Sequence, residues 1–351
     1  MGNSQNQNGT KKLKKEEEGT YGILDSRNID RVQLGDYEFD TWYGNAAYFS
    51  TQDHEHDQLG IDFMKNPTIP NGKTKGRKKS TDLNKSYWID RLYVCEYCFK
   101  YTSDESKILQ HRQACDMKKS FPPIGTLVYR DLVTPYIIKR VRGFKHPLFL
   151  QNLSLFGKLF LDDKSVYYHL DYFDFYIVYG YDPIDRKSPS DPKPNFKPMG
   201  FFSKEVITLD NDNNLNCICV FPPYQRLHLG SLLIEFLYSL AGLTRGQFRS
   251  GPEFPLSPYG KLTYLKFWSR KLSYVLASSN FKNSDKITLK HLADITGFRC
   301  EDILMTLEHM KLLVKHPESE NVELMLGNLE NLINGNPLEE RCLLNKDCLL
   351  I

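Results

Sequence analysis

Four residues between positions 95 and 115 constrain this chain more than any others. Cys95 and Cys98 are separated by two residues, twelve intervene before His111, and three more before Cys115, giving C-x2-C-x12-H-x3-C. The first pair falls at the tip of a predicted hairpin (RLYVCEYCFKY), and SDESKILQHRQAC predicts a helix with Ser103 as N-cap. His111 and Cys115 then share a helix face, so three thiolates and one imidazole close a tetrahedron around Zn2+. Protein atoms fill all four positions. No place is left for water or substrate, which makes the expected zinc structural. A reader of DNA sequence normally repeats such units, and here there is one, so the finger (93–118) is expected to staple one end of a larger domain.

The remaining cysteines sit in a chain whose N-terminus (MGNSQNQNGTKKLKKEEEG) lacks the apolar segment of a secretory signal. They are expected as reactive thiols or core residues, not disulfides. No stretch approaches 18 apolar residues, so no spanning helix and no membrane role are expected. The Met1-Gly2 start does not read as a myristoylation signal, because Asn6 stands where Ser or Thr is needed. The chain has 351 residues and a formal charge of +3, too small a field for a globally basic nucleic-acid binder. Residues 1–30 read as a disordered polar tail, and 32–49 (VQLGDYEFDTWYGNAAYF) as strand entering a fold. A polar insertion (50–85) follows, containing DHEHD and the basic run Lys73, Lys75, Arg77, Lys78, Lys79. DHEHD reads as solvated charge; the basic run reads as a solvated loop, with phosphate contact or nuclear import as the alternative.

Residues 199–222 predict two strands around the Asp/Asn turn DNDNN. A calcium loop is excluded there, since Leu215 and Phe221 occupy the positions that require Gly and Glu. The second strand, Leu215 to Phe221, ends at Pro222-Pro223. Then Tyr224-Gln225-Arg226-Leu227-His228-Leu229-Gly230 leads into an amphipathic helix from about Ser231 to Leu240. Unpaired first-turn N–H groups and the helix dipole favour an anion, Arg226 adds a cation, and a pyrophosphate would suit the place. The same strand–turn–helix pattern with one glycine also occurs across α/β folds generally.

Several segments together resemble the MYST family of histone lysine acetyltransferases: YEFDTWY (37–43), CEYCFKY, QNLSLFGKLFLDDKSVYY (151–168), GFFSKE (200–205), CICVFPPYQR (217–226), LLIEF (232–236) and GPEFPLSPYGKLTYLKFW (251–268). The resemblance implies an α/β fold: an N-acetyltransferase-like acetyl-CoA-binding core with an N-terminal C2HC zinc finger and a C-terminal helix-turn-helix-like part. It divides the chain into 1–30, the tail; 31–150, the finger-bearing part; 151–270, the catalytic core; and 271–351, the helical part. Glu253 matches the family's general base and Cys217 its active-site cysteine, which is either a transient acetyl carrier or a buried strand residue beside the thioester. Ile218, Cys219 and Val220 would offer backbone groups to acetyl-CoA. Gln225, Arg226, Leu227, His228, Leu229, Gly230 and Ser231 would hold its pyrophosphate, with Ser257 and Lys266 completing the site. Lys158 matches the family's self-acetylated lysine, although QNLSLFGKLFL alone reads it as a helix-surface charge.

Three positions depart from the family: His228 replaces a glycine of the turn, Phe254 a lysine after the base, and Ser231 a lysine. A side chain at 228 must tolerate the backbone a glycine allows. The alternative to an active enzyme is therefore a catalytically impaired scaffold subunit of a chromatin complex, and a third reading is a zinc-finger nucleic-acid binder. Residues 284–315 predict two helices split at Thr296-Gly297, resembling a helix-turn-helix, read as packing or as a substrate platform. The ending Cys348-Leu349-Leu350-Ile351 reads as a terminal strand, not a prenylation box. With only about 33 residues ahead of the match, the architecture resembles the fungal "something about silencing" branch of the family. That implies a nuclear enzyme acting on the histone H4 tail of a nucleosome, within a multisubunit acetyltransferase complex, with DNA contact that is not sequence-specific.

Overall fold

The structure is a computed structural model that describes residues 23–24, 27–45, 48, 89–161, 170–184, 194–206, 212–244, 248–277, 287–315, 322–324 and 342–351. The tail expected over 1–30 is too long, because Ile23–Leu24 pairs with Gly44–Asn45 and a strand starts at Ile29; residues 1–22 and the insertion with DHEHD and the basic run lie outside the described residues. The N-terminal part is a four-stranded sheet in the order β2-β1-β3-β4, formed by β1 (Ile29–Leu34), β2 (Tyr37–Asp40), β3 (Ile89–Val94) and β4 (Tyr101–Thr102). The expected strand at 32–49 is thus a hairpin that begins earlier, turning at Gly35 with φ +60°. β1 pairs with β3 in parallel. The β3–β4 turn carries Cys95 and Cys98, and helix α1 (Glu105–Ala114) follows.

Asp104, not Ser103, caps α1: its Oδ1 accepts from the N–H groups of Ser106 and Lys107 at 2.9 and 3.3 Å. A carboxylate there also complements the positive end of the helix, which a serine one residue earlier would not.

A five-stranded antiparallel sheet forms the centre, in the order β10-β8-β7-β6-β5, from β5 (Thr126–Arg130), β6 (Ile137–Arg142), β7 (Phe173–Tyr181), β8 (Phe196–Glu205) and β10 (Cys217–Val220). Strand alternation sends Phe175 and Phe201 to one face, and Tyr176 and Phe202, stacked at 4.6 Å, to the other. Helix α2 (Pro147–Lys158) covers the first face so closely that a Cβ on Gly157 would meet the Phe201 ring at 2.9 Å. Helix α3 (Leu229–Leu243) covers the second, with Phe236 at 5.7 Å from Tyr176 and 6.1 Å from Phe202. With apolar layers on both sides, β7 carries an unbroken buried run instead of the half-polar alternation of a solvated antiparallel sheet.

The finger is fused to this core. Phe99, at φ +60° just past Cys98, puts its ring against Phe149, Phe156 and Phe221 at 5.9, 5.4 and 5.4 Å. On α1, Arg112 is engaged by Glu96 and Asp36. A docked, charge-neutralised finger fits the stapling role better than that of a nucleic-acid reader.

The C-terminal part contains α4 (Pro258–Ala277), α5 (Leu289–Thr296) and α6 (Cys300–His309). Gly297, at φ +75°, ends α5 as the sequence predicts. α4 rests on α3, where Trp268 Nε1 donates to the Tyr238 hydroxyl at 2.9 Å. Glu235, on α3, accepts from the N–H groups of Leu343 and Leu344 at 2.7 and 2.8 Å, and Leu349 bridges Tyr129 at the edge of the central sheet. Cys348 is buried there at the end of a short 3-10 turn (Lys346–Cys348), so the terminal strand expected from the sequence is reduced to the single bridge at Leu349. Of the cysteines expected as packing, Cys342 is exposed instead. No helix among the described residues is long and apolar enough to cross a membrane.

Asp182 ties the two sheets together, accepting from Tyr37 Oη at 2.6 Å, Ile184 N at 3.0 Å, and Lys197 Nζ and Tyr224 Oη at 3.1 Å. Burial by itself would raise its pKa, but the donors from Tyr37, Ile184 and Lys197 outweigh it and hold the carboxyl below its ordinary value. Asp182→Ala is expected to cost about 3–5 kcal/mol, because it removes the carboxylate to which the buried Lys197 ammonium and the Tyr37 and Tyr224 hydroxyls donate. The depressed folded value means this contribution is present above about pH 4 and lost as pH falls through the folded pKa. Urea denaturation of both forms at pH 7 and in acid checks it: the gap should close in acid.

Candidate functional site

The four finger residues converge. Their ligand atoms all lie within 4.8 Å of one another, with Cys95 Sγ to Cys115 Sγ at 3.8 Å and Cys98 Sγ to His111 Nε2 at 3.1 Å. A tetrahedron with metal–sulfur bonds of about 2.3 Å has sulfur–sulfur edges of about 3.8 Å, so the donor set fits one ion. Cys115 is the C-cap of α1, not part of the helix as the i,i+4 argument assumed, yet the turn still carries its thiol to the cluster. Crowded against Cys115 and Cys98, the Cys95 thiol is pushed far up, a penalty of packing thiolates together that a divalent cation relieves.

The second cluster begins where a strand divides. The sequence predicts one strand over 215–221; the structure breaks it at Asn216. Upstream, β9 (Asn213–Leu215) pairs in parallel with β11 (Gly251–Pro252), while downstream β10 pairs with β8. Asn216 stands in the fork. Its Oδ1 accepts from Glu205 N at 2.9 Å and its Nδ2 donates to Glu253 Oε2 at 3.4 Å. Glu253 N donates to Leu215 O at 3.0 Å, so the carboxylate is held at the fork, one residue before β10 begins with the buried Cys217. Cys219 is buried too, and desolvation together with Cys217 pushes its thiol up to about 12, which makes it an inert wall.

β10 is an edge strand of its sheet, and beyond it the chain turns through Pro222–Tyr224 into α3. The helix begins at Leu229, two residues before the predicted start, so Gly230 and Ser231 belong to its first turn. Its N-cap, His228, makes no side-chain capping bond. Arg226 and His228 both lie in the left-handed region, at φ +66° and +61°. Such a conformation costs a non-glycine residue about 1–2 kcal/mol. Left-handed residues alternating along a turn curl successive N–H groups around one point, the geometry of an anion nest, and the α3 dipole adds to it. A Cβ on Gly230 would meet only Val220 Cγ2, at 3.9 Å, so space lies between the end of β10 and the helix start. Gln225 Nε2 donates to Val220 O at 3.2 Å and closes the turn onto that strand. Val220, Gln225, Arg226, His228 and Gly230 are therefore one cluster.

Ser257 and Lys266 belong to a separate element. Ser257 Oγ accepts from Gly260 N at 3.1 Å at the start of α4, and Lys266 is exposed two turns on. Their link to the turn runs through α3. Lys158 corrects its helix-surface reading: it is the buried last residue of α2, and the carbonyl of the next residue, Leu159, accepts from Trp42 and Tyr43. Phe254, where the resemblance has lysine, is half exposed, with the Arg299 guanidinium 5.1 Å from its ring centre. Asn216 and Arg299 carry no motif, and only the hydrophobic-to-polar interruption of NLNCICV marked the first.

A model of the MOZ/SAS family matches residues 122–349. The chain is 41% identical over 331 residues to histone acetyltransferase SAS2 of Saccharomyces cerevisiae, across 94% of this chain and 87% of that protein. It is 34% identical over 310 residues to histone acetyltransferase MOF of Drosophila melanogaster, across 88% of this chain and 30% of that protein. It is also 32% identical over 288 residues to histone acetyltransferase of the MYST family 1 of Arabidopsis thaliana, across 82% of this chain and 52% of that protein.

The turn makes a prediction at position 228. His228→Gly is expected to keep acetyl-CoA affinity within threefold, whereas His228→Val, β-branched in a left-handed position, should weaken it at least tenfold. Titration calorimetry of the three proteins reads the difference.

Proposed function

The chain belongs to the MOZ/SAS family and is a histone acetyltransferase that uses acetyl-CoA; from that premise we propose that Glu253 is its general base and the first turn of α3 its pyrophosphate site. One observation carries the reading: the Asn216 fork holds a carboxylate at the start of the same edge strand whose far end opens into the nest. A lysine amine of pKa about 10.4 is protonated at neutral pH and cannot attack. In the reaction we assign, Glu253 takes that proton, the neutral amine adds to the thioester carbonyl, and collapse of the tetrahedral adduct breaks the C–S bond, releasing CoA and the amide. Cys217 is assigned to the acetyl end, at the fork, and Ile218, Cys219 and Val220 to the edge along which the pantetheine arm would lie. Leu227 and Leu229 anchor the nest, Arg226 offers it charge, and Ser257 with Lys266 would extend the site along α4.

His228 was the motive for an impaired scaffold, and that alternative finds no support. The relatives across nearly the whole chain carry acetyltransferase names, and His228 itself adopts the left-handed backbone that a glycine would supply. The zinc reading rests on the tetrahedral fit of Cys95, Cys98, His111 and Cys115, which would hold a structural ion. The acceptor we propose is a histone H4 tail lysine on a nucleosome in the nucleus, in a complex with other subunits, with DNA contact that is not sequence-specific. Lys158 is proposed as the self-acetylated lysine, since loss of its charge would suit a buried site.

Glu253→Gln should lower turnover on core histones by about 10²-fold or more, with acetyl-CoA affinity unchanged; radiolabel transfer checks it, and wild-type turnover would remove Glu253 from the role. Elemental analysis of the purified chain should find one zinc per molecule. Cys95→Ser should lose that zinc and lower the melting temperature.

A further inference from the structure

The buried ion pair on the C-terminal helices has no role in the chemistry as assigned so far. Arg299 is the N-cap of α6, and Asp302 lies in its first turn; both are buried. Arg299 Nε and Nη2 donate to the two Asp302 oxygens at 2.9 and 3.2 Å, but the carboxylate does not use up the guanidinium. Nη2 also donates to the carbonyl of Pro252 at 2.8 Å, and Nη1 to Asn213 Oδ1 at 3.3 Å. One side chain thus holds both strands of the β9–β11 pair from which Glu253 emerges. Its guanidinium face lies over Phe254, the residue on the other side of Glu253. Gly251 shows how closely the parts are fitted, because a Cβ there would collide with Asp302 and Arg299. Ser250 N donates to Gly297 O at 3.0 Å, and Arg249 pairs with Asp294, so the same helix pair grips the segment just upstream.

We propose that Arg299, charge-balanced by Asp302, is a positioning residue for the catalytic carboxylate: the helix-turn-helix part sets the aim of Glu253 through Pro252 and Phe254. The proposal rests on Glu253 being the base. A bare packing role for the pair predicts something different, since a buried ion pair replaced whole by apolar residues often keeps stability, whereas removing one partner does not. The double variant Arg299→Met/Asp302→Leu keeps the site neutral and filled but removes the hydrogen bonds to Pro252 and Asn213.

The test uses the tagged full chain isolated from its own cells with its bound subunits, as wild type, Glu253→Gln, Arg299→Lys and the double variant. Melting temperature, acetyl-CoA affinity and steady-state kinetics on core histones are measured for each. The double variant is expected to melt within a few degrees of wild type and to keep both KM values within twofold, while kcat falls at least tenfold. Arg299→Lys keeps the charge but cannot span Asp302, Pro252 and Asn213 together, and should lose at least threefold in kcat at unchanged KM. Wild-type kcat in whichever of these stays folded overturns the positioning role. If Glu253→Gln is inactive in that case, the base assignment survives alone; if Glu253→Gln is fully active, both fall.

Discussion

The site depends on one interruption in a hydrogen-bonded ladder. Had the segment 213–220 continued as a single strand along β8, Glu253 would have had no strand to pair beside and no hydrogen bond from Asn216. At Asn216 the chain leaves one partner and takes another, and the amide side chain fills the gap by accepting from Glu205 and donating to Glu253. The backbone polar groups freed by the split find partners in the segment of β11, where Leu215 O accepts from Glu253 N, and the α6 N-cap in turn donates to Pro252 O of that strand. The fork is thereby both a defect in the sheet and the reason that a carboxylate from a distant segment is bonded to Asn216, the residue before β10.

The other end of the edge strand stores strain in place of pairing. Two residues with side chains adopt left-handed backbone within three positions, and a 15-residue helix starts immediately after them without a side-chain cap. Each of those choices is unfavourable in a protein alone. A helix start of this kind favours an anion, and a bound polyanion would accept from its first-turn N–H groups and offset the strain.

Much of this was legible in the sequence where the determinants are local. Ligand spacing fixed the Cys95–Cys115 cluster, since a hairpin tip and a helix end leave four donors few other arrangements. Gly297 announced the end of α5, and Pro222-Pro223 the end of the edge strand. The misses share a cause. Ser103 against Asp104 was a choice between adjacent caps, and it turned on which side chain reaches two amides. The split at Asn216 and the reach of Arg299 need partners 37 and 47 residues away along the chain, which no window of the sequence displays. Lys158 looked like a surface charge because a helix carries no label for the segment, Trp42–Tyr43, that packs over its end.

Gly251, Arg299 and Asp302 also bear on how this chain can change over generations. A side chain at 251 is admitted only if the ion pair gives way, and losing Arg299 alone strands the Asp302 carboxylate in the interior. Every single step away from the present trio is therefore downhill in stability. A lineage that exchanged them one at a time would have to cross through a less stable intermediate, so Gly251 is tied to a pair of residues about fifty positions further along the chain.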